Sequence, residues 1–176
     1  SSKKTSTMSD WDLPKADLSH PDSAIRLASA IHRFRVPKMN DSRRVSFGTS
    51  FATTGKHEKT RTVMLKADDN RKKLQNAVLA DRVSHERVVA DARRYQPYIH
   101  QILVSCKFQP EMARLDERLV FEWQSGVESH KRYFKSEAIM MDLTMCILCE
   151  GLGKAGVATE SSVAGEFAAA SREYAA

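Results

Sequence analysis

The sequence has few of the residues that staple or interrupt a chain: three cysteines, five prolines and seven glycines among 176 residues. Three cysteines are too few for the disulfide framework of a small secreted domain, and the odd number predicts a reducing compartment such as the cytoplasm. No apolar run reaches the ~18 residues of a transmembrane helix, so no membrane-spanning segment is predicted. An H-E-x-x-H pair, a phosphate-binding glycine loop and a nucleophile elbow are also missing. We therefore expect a protein that is not an enzyme and holds no cofactor or metal.

Negative charge is scarce in the N-terminal half of the chain. Residues 1–80 carry 16 lysines and arginines against 8 aspartates and glutamates, whereas residues 81–176 carry 12 against 14. The stretch 26–73 is the most basic, with 13 cationic and 4 anionic residues. This asymmetry predicts an acidic partner. An acidic protein surface is favoured over nucleic acid because no nucleic-acid-binding motif is present. A solvated basic tail is the alternative interpretation.

Hydrophobic spacing predicts a mostly helical chain. A stripe of Val163, Phe167, Ala170 and Tyr174 predicts an amphipathic last helix, and Asp68 or Asp69 is placed to cap the helix that follows it. Segments rich in β-branched and aromatic residues predict two strands in the basic region. The predicted helices cover about residues 21–33, 70–94 with a continuation through Pro97 to 107, and 159–176, and the predicted strands cover 43–55 and 61–67.

The stretch 118–153 predicts a β-hairpin that leads into a buried helix. Leu119, Phe121 and Trp123 alternate with polar residues as in a half-buried strand, and Tyr133-Phe134 supplies a short return strand. The helix that follows, capped by Ser136, is apolar nearly all round, which predicts a central position covered on several sides. The predicted core positions are Leu119, Phe121, Trp123, Phe134, Met141, Met145, Leu148 and Phe167.

Cys146 and Cys149 have the C-x-x-C spacing of a redox pair or of half a zinc site. A structural zinc ion needs four ligands, and the only other cysteine, Cys106, lies in a different predicted element. A redox pair usually sits at a helix N-terminus, where the dipole lowers the thiol pKa, whereas this pair lies within an apolar helix. Packing is therefore the favoured interpretation, since a buried free cysteine behaves as a small hydrophobic residue.

Gly151, Gly153 and Gly156 match the dinucleotide-binding pattern G-x-G-x-x-G. That motif needs a preceding strand and a following helix whose N-terminus meets the pyrophosphate. The apolar run before Gly151 is about twelve residues long, which exceeds a buried strand and suits a helix. The favoured interpretation is a helix that ends at these glycines, with Lys154 near its C-terminus. A dinucleotide-binding enzyme is the distant alternative.

The segment from Leu119 onward carries a recognisable order of packing motifs. They are the strand Leu119, Phe121 and Trp123, the helix entry Phe134, Ser136 and Glu137, the helical residues 141–143, and the stretch "AAASREYA". This order resembles the N-terminal half of the Bro-one domain family of endosomal-sorting adaptors, over roughly residues 60–176. The resemblance implies a TPR-like helical scaffold with a small antiparallel β-sheet near its N-terminal part and no enzymatic activity. The family's binding patch for ESCRT-III tails would lie beyond Ala176, so we expect a partial domain.

Two segments are therefore expected, a basic extension at 1–60 and a partial Bro-one-like helical domain at 61–176. The extension is predicted to bind an acidic protein surface such as a tubulin lattice or another assembly protein. A structural role in the cytoskeleton, with the axoneme of a cilium or flagellum as one location, is the leading hypothesis, and an ESCRT-linked adaptor is the alternative. The predicted partner-binding residues are Arg26, Arg33, Arg35, Lys38, Arg43, Arg44, Lys56, Lys59 and Arg61.

Overall fold

The computed structural model describes residues 34–40, 45–51, 58–108, 118–126 and 132–176. The elements are β1 (Lys38–Met39), α1 (Phe47–Ser50), α2 (Glu58–Leu79), α3 (His85–Phe108), β2 (Phe121–Gln124), β3 (Tyr133–Ser136), α4 (Ile139–Val163) and α5 (Phe167–Ala175). Helices thus dominate the described residues, and the three strands form one small antiparallel sheet. This confirms the predicted mostly helical fold class with a β-hairpin. The predicted helix at 21–33 lies outside the described residues.

Helix α2 begins earlier than the sequence spacing suggested. Its buried side chains include Met64, Ala67, Arg71, Leu74 and Val78, which recur every three or four residues. That spacing runs without a break through 61–67, so the predicted strand there is wrong and its residues form the first turns of α2. The β-branched residues that suggested a strand are tolerated in a helix because tertiary packing outweighs their small propensity penalty.

A break at 80–84 separates α2 from α3, so the continuous helix predicted over 70–94 is also wrong. Ser84 begins the second helix: its carbonyl accepts the Val88 N–H at 3.1 Å, and its hydroxyl accepts the Arg87 N–H at 3.4 Å. A serine at this position satisfies donors that have no intrahelical partner. Helix α3 then runs through Pro97 to Phe108, as the predicted continuation to residue 107 required.

Strand β2 is the centre of the sheet. Its Trp123 pairs with Met39 of β1 on one side and with Phe134 of β3 on the other. Leu119, Phe121 and Trp123 are buried, as predicted. Phe134 is only half-buried, because β3 is an edge strand, and its ring contacts the Arg132 guanidinium at 5.4 Å. The hairpin therefore packs its central strand into the core and leaves its return strand partly open.

The described residues 34–40 and 45–51 belong to the same compact unit as the helices, which spans Phe34–Ala176. The Arg35 N–H donates to the Gly126 carbonyl at 2.8 Å, and β1 adds a third strand that the sequence did not suggest. Phe47 and Phe51 lie in the core. The chain forms the short helix α1 here instead of the strand predicted at 43–55. The two aromatic residues are therefore buried from a helical turn and not from a strand.

Helix α4 continues past the three glycines that were expected to end it. Gly151, Gly153 and Gly156 all lie inside it. The helix ends instead at Val163, and Gly165 just beyond it has a φ of 83°, the left-handed conformation that glycine adopts easily. There the Glu166 N–H donates to the Ser161 carbonyl at 2.8 Å and the Gly165 N–H to the Ser162 carbonyl at 3.1 Å, which is a Schellman ending.

The turn at Gly165 also corrects the predicted last helix. The stripe from Val163 to Tyr174 assumed one unbroken helix, but the turn interrupts its phase. Val163 is 85% exposed and Phe167, a predicted core residue, is 72% exposed. Only Ala170 of the stripe is buried, so α5 packs on α4 through alanine and projects Phe167 into solvent.

The remaining predicted core residues lie on α4 and are partly buried. Met141 and Met145 pack against the core. Leu148 is half-buried, because it lies next to the exposed side of the helix that carries Thr144. Ser136 does not cap this helix as predicted: it belongs to β3, and its hydroxyl accepts the Ala138 N–H at 3.1 Å. The helix cap position is Ala138.

Candidate functional site

The core of the described helical unit contains a buried polar cluster around Asp142, defined by Arg71, Tyr95, Trp123 and Asp142. Asp142 has no exposed surface. Its Oδ1 accepts the Trp123 Nε1–H at 2.6 Å and an Arg71 Nη2–H at 3.1 Å. Its Oδ2 accepts the Tyr95 hydroxyl at 2.7 Å and the Arg71 Nε–H at 3.1 Å. One carboxylate thereby ties α2, α3, β2 and α4 together.

The electrostatics of this cluster favour fixed protonation states. Burial lowers the pKa of Arg71, but the charges and hydrogen bonds of Asp142 and Tyr95 together outweigh this effect and the pKa is raised. Burial and the same carboxylate raise the pKa of Tyr95 well above its usual value. The Arg71 guanidinium also lies 5.6 Å from the centre of the Phe121 ring. A satisfied network of this kind fixes the relative positions of its elements, and we assign it an architectural role.

Asp68 fixes the N-terminal segment onto α2. Its carboxylate accepts the Phe47 N–H at 2.6 Å and the Gly48 N–H at 3.0 Å, and it accepts the Ser46 hydroxyl at 2.8 Å. Asp68 therefore caps α1 from the middle of α2, and its predicted role as the cap of the following helix is wrong. A negative group at a helix N-terminus is stabilised by the free N–H groups there.

The solvent-facing surface of α2 is basic. Four of its side chains are exposed and form no ion pair with another described residue; they are Lys59, Arg61, Lys66 and Lys72, called the basic face below. Most other charges of the helix are engaged: Asp69 pairs with Lys73 at 2.6 Å, Arg71 pairs with Asp142, and Asp68 accepts hydrogen bonds from α1. Glu58, in the first turn, is a further exposed charge. At the helical rise the basic face spans roughly 20 Å. It lies on a helix that the Asp142 cluster holds in place.

The predicted partner-binding residues divide into two groups. Arg35 and Lys38 are exposed next to and on β1, and Lys59 and Arg61 are exposed on α2. The predicted residues that lie outside the described residues are Arg26, Arg33, Arg43, Arg44 and Lys56. Lys66 and Lys72 were not among the predicted partner-binding residues, and the interpretation of 61–67 as a strand hid the helix to which Lys66 belongs. A hydrophobic spacing traced back from Leu74 would have revealed it.

The cysteines are part of the packing between α4 and its neighbours. Cys146 and Cys149 are fully buried. The Cys146 thiol lies 3.4 Å from the Ala92 carbonyl oxygen, and the Cys149 thiol lies 4.0 Å from that of Pro37. Burial raises the pKa of both thiols. Both cysteines are therefore protonated near neutral pH, which favours the packing interpretation over a reactive pair.

The glycines allow α3 to approach α4 closely. A Cβ atom on Gly153 would lie 2.8 Å from Cγ2 of Val89, and one on Gly156 would meet the His85 ring. Gly151 differs, because a Cβ atom there would meet nothing within 4 Å. Two of the three glycines thus serve helix packing. None of them lies at a strand-to-helix turn of the kind that a dinucleotide needs.

Comparison with protein-family models, with curated protein sequences and with solved structures finds no match. Among the described residues, no three histidine, cysteine, aspartate or glutamate side chains are grouped so that they could hold a metal ion. None of the described helices combines the length and apolar character that crossing a lipid bilayer requires. The features that stand out on the described chain are therefore the buried Asp142 cluster and the basic face of α2.

Proposed function

We propose that the chain is a non-enzymatic scaffold that binds an acidic protein surface through the basic face of α2. The observation that carries this proposal is the presence of four exposed cations on the solvent-facing surface of a single helix, none of them ion-paired with another described residue. They form two pairs, Lys59 with Lys66 along one edge of that surface and Arg61 with Lys72 along the other. Nearby opposite charges would otherwise weaken their field, so their lack of described ion-pair partners leaves them available to a partner. We expect the more N-terminal cations predicted from the sequence to bind the same partner.

The position of α2 in the fold supports this proposal. The Asp142 cluster and the cap at Asp68 hold the helix on both of its packed sides. Charges on a helix that is already fixed lose little freedom when a partner binds, which favours affinity. Leu65, which is 52% exposed, lies among the same cations. An apolar side chain in this position suits a protein partner better than a phosphate backbone.

A structural role in a cytoskeletal assembly, with a tubulin lattice as the acidic surface, remains the leading form of the proposal. The resemblance to Bro-one scaffolds is compatible with it, since that family also works by binding proteins. An adaptor for ESCRT-III tails is the second form, and it rests on the packing motifs of residues 119–176. The two forms differ in the partner that the chain captures.

Co-sedimentation with microtubules tests the leading form. Replacing Lys59, Arg61, Lys66 and Lys72 with glutamine removes four charges from the basic face. A matched control removes four exposed charges elsewhere, at Arg82, Lys107, Arg132 and Arg172. We expect the first variant to bind roughly 10-fold or more weakly, and the control to change affinity less than about 3-fold. Binding by the unmodified protein should also weaken from about 50 mM to about 300 mM salt.

The outcomes separate the alternatives. Equal losses in both variants would show a response to net charge alone and would contradict a specific basic face. Unchanged binding in both would refute the proposal. Capture of ESCRT-III tail peptides, with no sedimentation on microtubules, would replace the leading form with the adaptor.

A further inference from the structure

Helix α4 carries an uncovered apolar surface on its N-terminal half. Met140, Thr144, Ile147 and Gly151 recur at spacings of four, three and four residues, so they share one side of the helix; they are called the exposed stripe below. Met140 and Ile147 are each 54% exposed. The opposite side of α4 carries Cys146 and Gly153 and contacts α3. The exposed stripe is therefore a helix face that the described chain does not cover.

The exposed stripe continues a helix interface that already exists. Ala158 lies seven residues after Gly151 on the same side of α4 and is fully buried. Helix α5 covers this part of α4, as shown by the 3.2 Å contact between the Thr159 and Tyr174 hydroxyls and by the Lys154 Nζ that donates to the Ala176 carbonyl at 3.2 Å. The same side of α4 thus binds a helix over its C-terminal half and is bare over its N-terminal half.

The order of side-chain sizes along the stripe identifies an occupant. It runs large, small, large, small, from Met140 through Thr144 and Ile147 to Gly151. In an antiparallel pair of identical helices, Met140 meets Gly151 of the other copy, and Ile147 meets Thr144. Every contact then joins a large residue to a small one, as in the layers of an antiparallel coiled coil. We propose that the stripe binds the same stripe of a second copy, antiparallel, with the two-fold axis between Met145 and Cys146.

A parallel pair would fit less well, because Met140 would meet Met140 and Gly151 would meet Gly151. Electrostatics permit the antiparallel contact. Between 139 and 153 the only charged residues are Asp142 and Glu150. Asp142 is buried in its cluster, and Glu150 is paired with Arg93 and Lys154. The contact is two-fold symmetric and closes on itself, so it gives a dimer and cannot extend into a polymer.

The stripe is about 16 Å long, which is short for a permanent dimer interface. We therefore expect a weak dimer that forms at high concentration or where an assembly holds copies side by side. The chain carries a net charge of +6, so two copies repel and added salt should strengthen the dimer. Salt should therefore strengthen the dimer but weaken binding by the basic face. The dimer does not rest on the proposed function.

Disulfide cross-linking reads the proposed register directly. One variant carries Met140→Cys and the other carries Gly151→Cys, both with Cys106→Ser. Met140 is half exposed, and a side chain at Gly151 enters open space, so both variants should fold, which circular dichroism verifies. In the antiparallel pair, two copies of residue 140 lie about 16 Å apart along the axis, beyond the ~7 Å limit for a disulfide. We expect a cross-linked dimer in a mixture of the variants and none in either variant alone.

Sedimentation velocity on the unmodified chain, from about 10 to about 500 μM, gives the second readout. We expect a dimer at the upper end that Ile147→Asp abolishes. Val163→Asp is the control, since Val163 is 85% exposed but lies off the stripe, and it should leave the dimer intact. Cross-linking of either variant alone would overturn the antiparallel register. A mixture that does not cross-link, together with a chain that stays monomeric throughout, would overturn the proposal.

Discussion

Replacing Asp142 with leucine would remove the carboxylate on which four hydrogen bonds end. The side chain has no exposed surface, and leucine has a similar shape, so the change alters charge more than volume. Arg71 is only 4% exposed, and its guanidinium would lose its counter-ion. The Tyr95 hydroxyl and the Trp123 indole N–H would lose their acceptor at the same time.

The expected loss in the free energy of unfolding is about 3–5 kcal/mol. This is the usual effect of removing one partner of a buried ion pair, because the remaining charge is left in a medium that solvates it poorly. The two neutral donors add to the loss, though less than additively, since water or a small shift can satisfy them in part. For a chain of this length, the loss lowers the melting temperature by roughly 6–20 °C.

Urea unfolding, followed by circular dichroism and by tryptophan fluorescence, measures the loss. The matched variant is Arg71→Met combined with Asp142→Leu, which removes both charges. We expect this double variant to be more stable than Asp142→Leu alone, because no isolated charge remains buried. A loss below about 1 kcal/mol for Asp142→Leu would refute the reasoning. So would a double variant whose loss equals the sum of the two single ones, since that would mean that the two charges do not interact.

Three further predictions concern packing, capping and pH. Gly151→Ala should raise the free energy of unfolding by about 1 kcal/mol, because a Cβ there meets no other atom and alanine favours helix. Gly153→Val should lower it by about 1–3 kcal/mol, because the added side chain would collide with Val89. Urea unfolding of dilute samples compares the two variants. Asp68→Ala should cost about 1–2 kcal/mol by removing the cap of α1, and protease susceptibility near Phe47 should rise; an unchanged cleavage rate would contradict this. Burial raises the pKa of Tyr95 above its unfolded value of 10.0, and those of Cys146 and Cys149 above 9.0. The folded state therefore keeps protons that the unfolded state releases, and the free energy of unfolding should fall as the pH rises above 9. A flat profile up to pH 11, scanned in steps of about half a unit, would contradict this.

Local patterns predicted the hairpin well. Leu119, Phe121 and Trp123 alternate strictly, and the short return strand follows within a few residues, so the signal is contained in one stretch. The segment at 61–67 failed for the opposite reason. Val63 and Thr62 suggest a strand when the window is short, and only the spacing shared with Leu74 shows a helix.

The Asp142 cluster could not be predicted from such patterns. Asp142 was visible only as a polar interruption of an apolar helix. Its partners Arg71 and Tyr95 lie 71 and 47 residues away, and no periodicity links positions on separate elements. The general expectation that a buried carboxylate requires partners could have shown that a site exists, but the identity of the partners depends on the packing of three helices and a strand.

The late position of β2 in the chain has a consequence for the order of folding. Asn40, beside β1, bonds to Glu122 across 82 residues, and Cys149 meets Pro37 across 112. During synthesis, α1, α2 and α3 can therefore begin to associate while β1 still has no strand to join. Contacts that close so long a loop form slowly and late. Replacing Met39 with alanine should accordingly speed unfolding in stopped-flow experiments and leave the folding rate nearly unchanged. That result would mean that β1 joins the sheet after the rate-limiting step of folding.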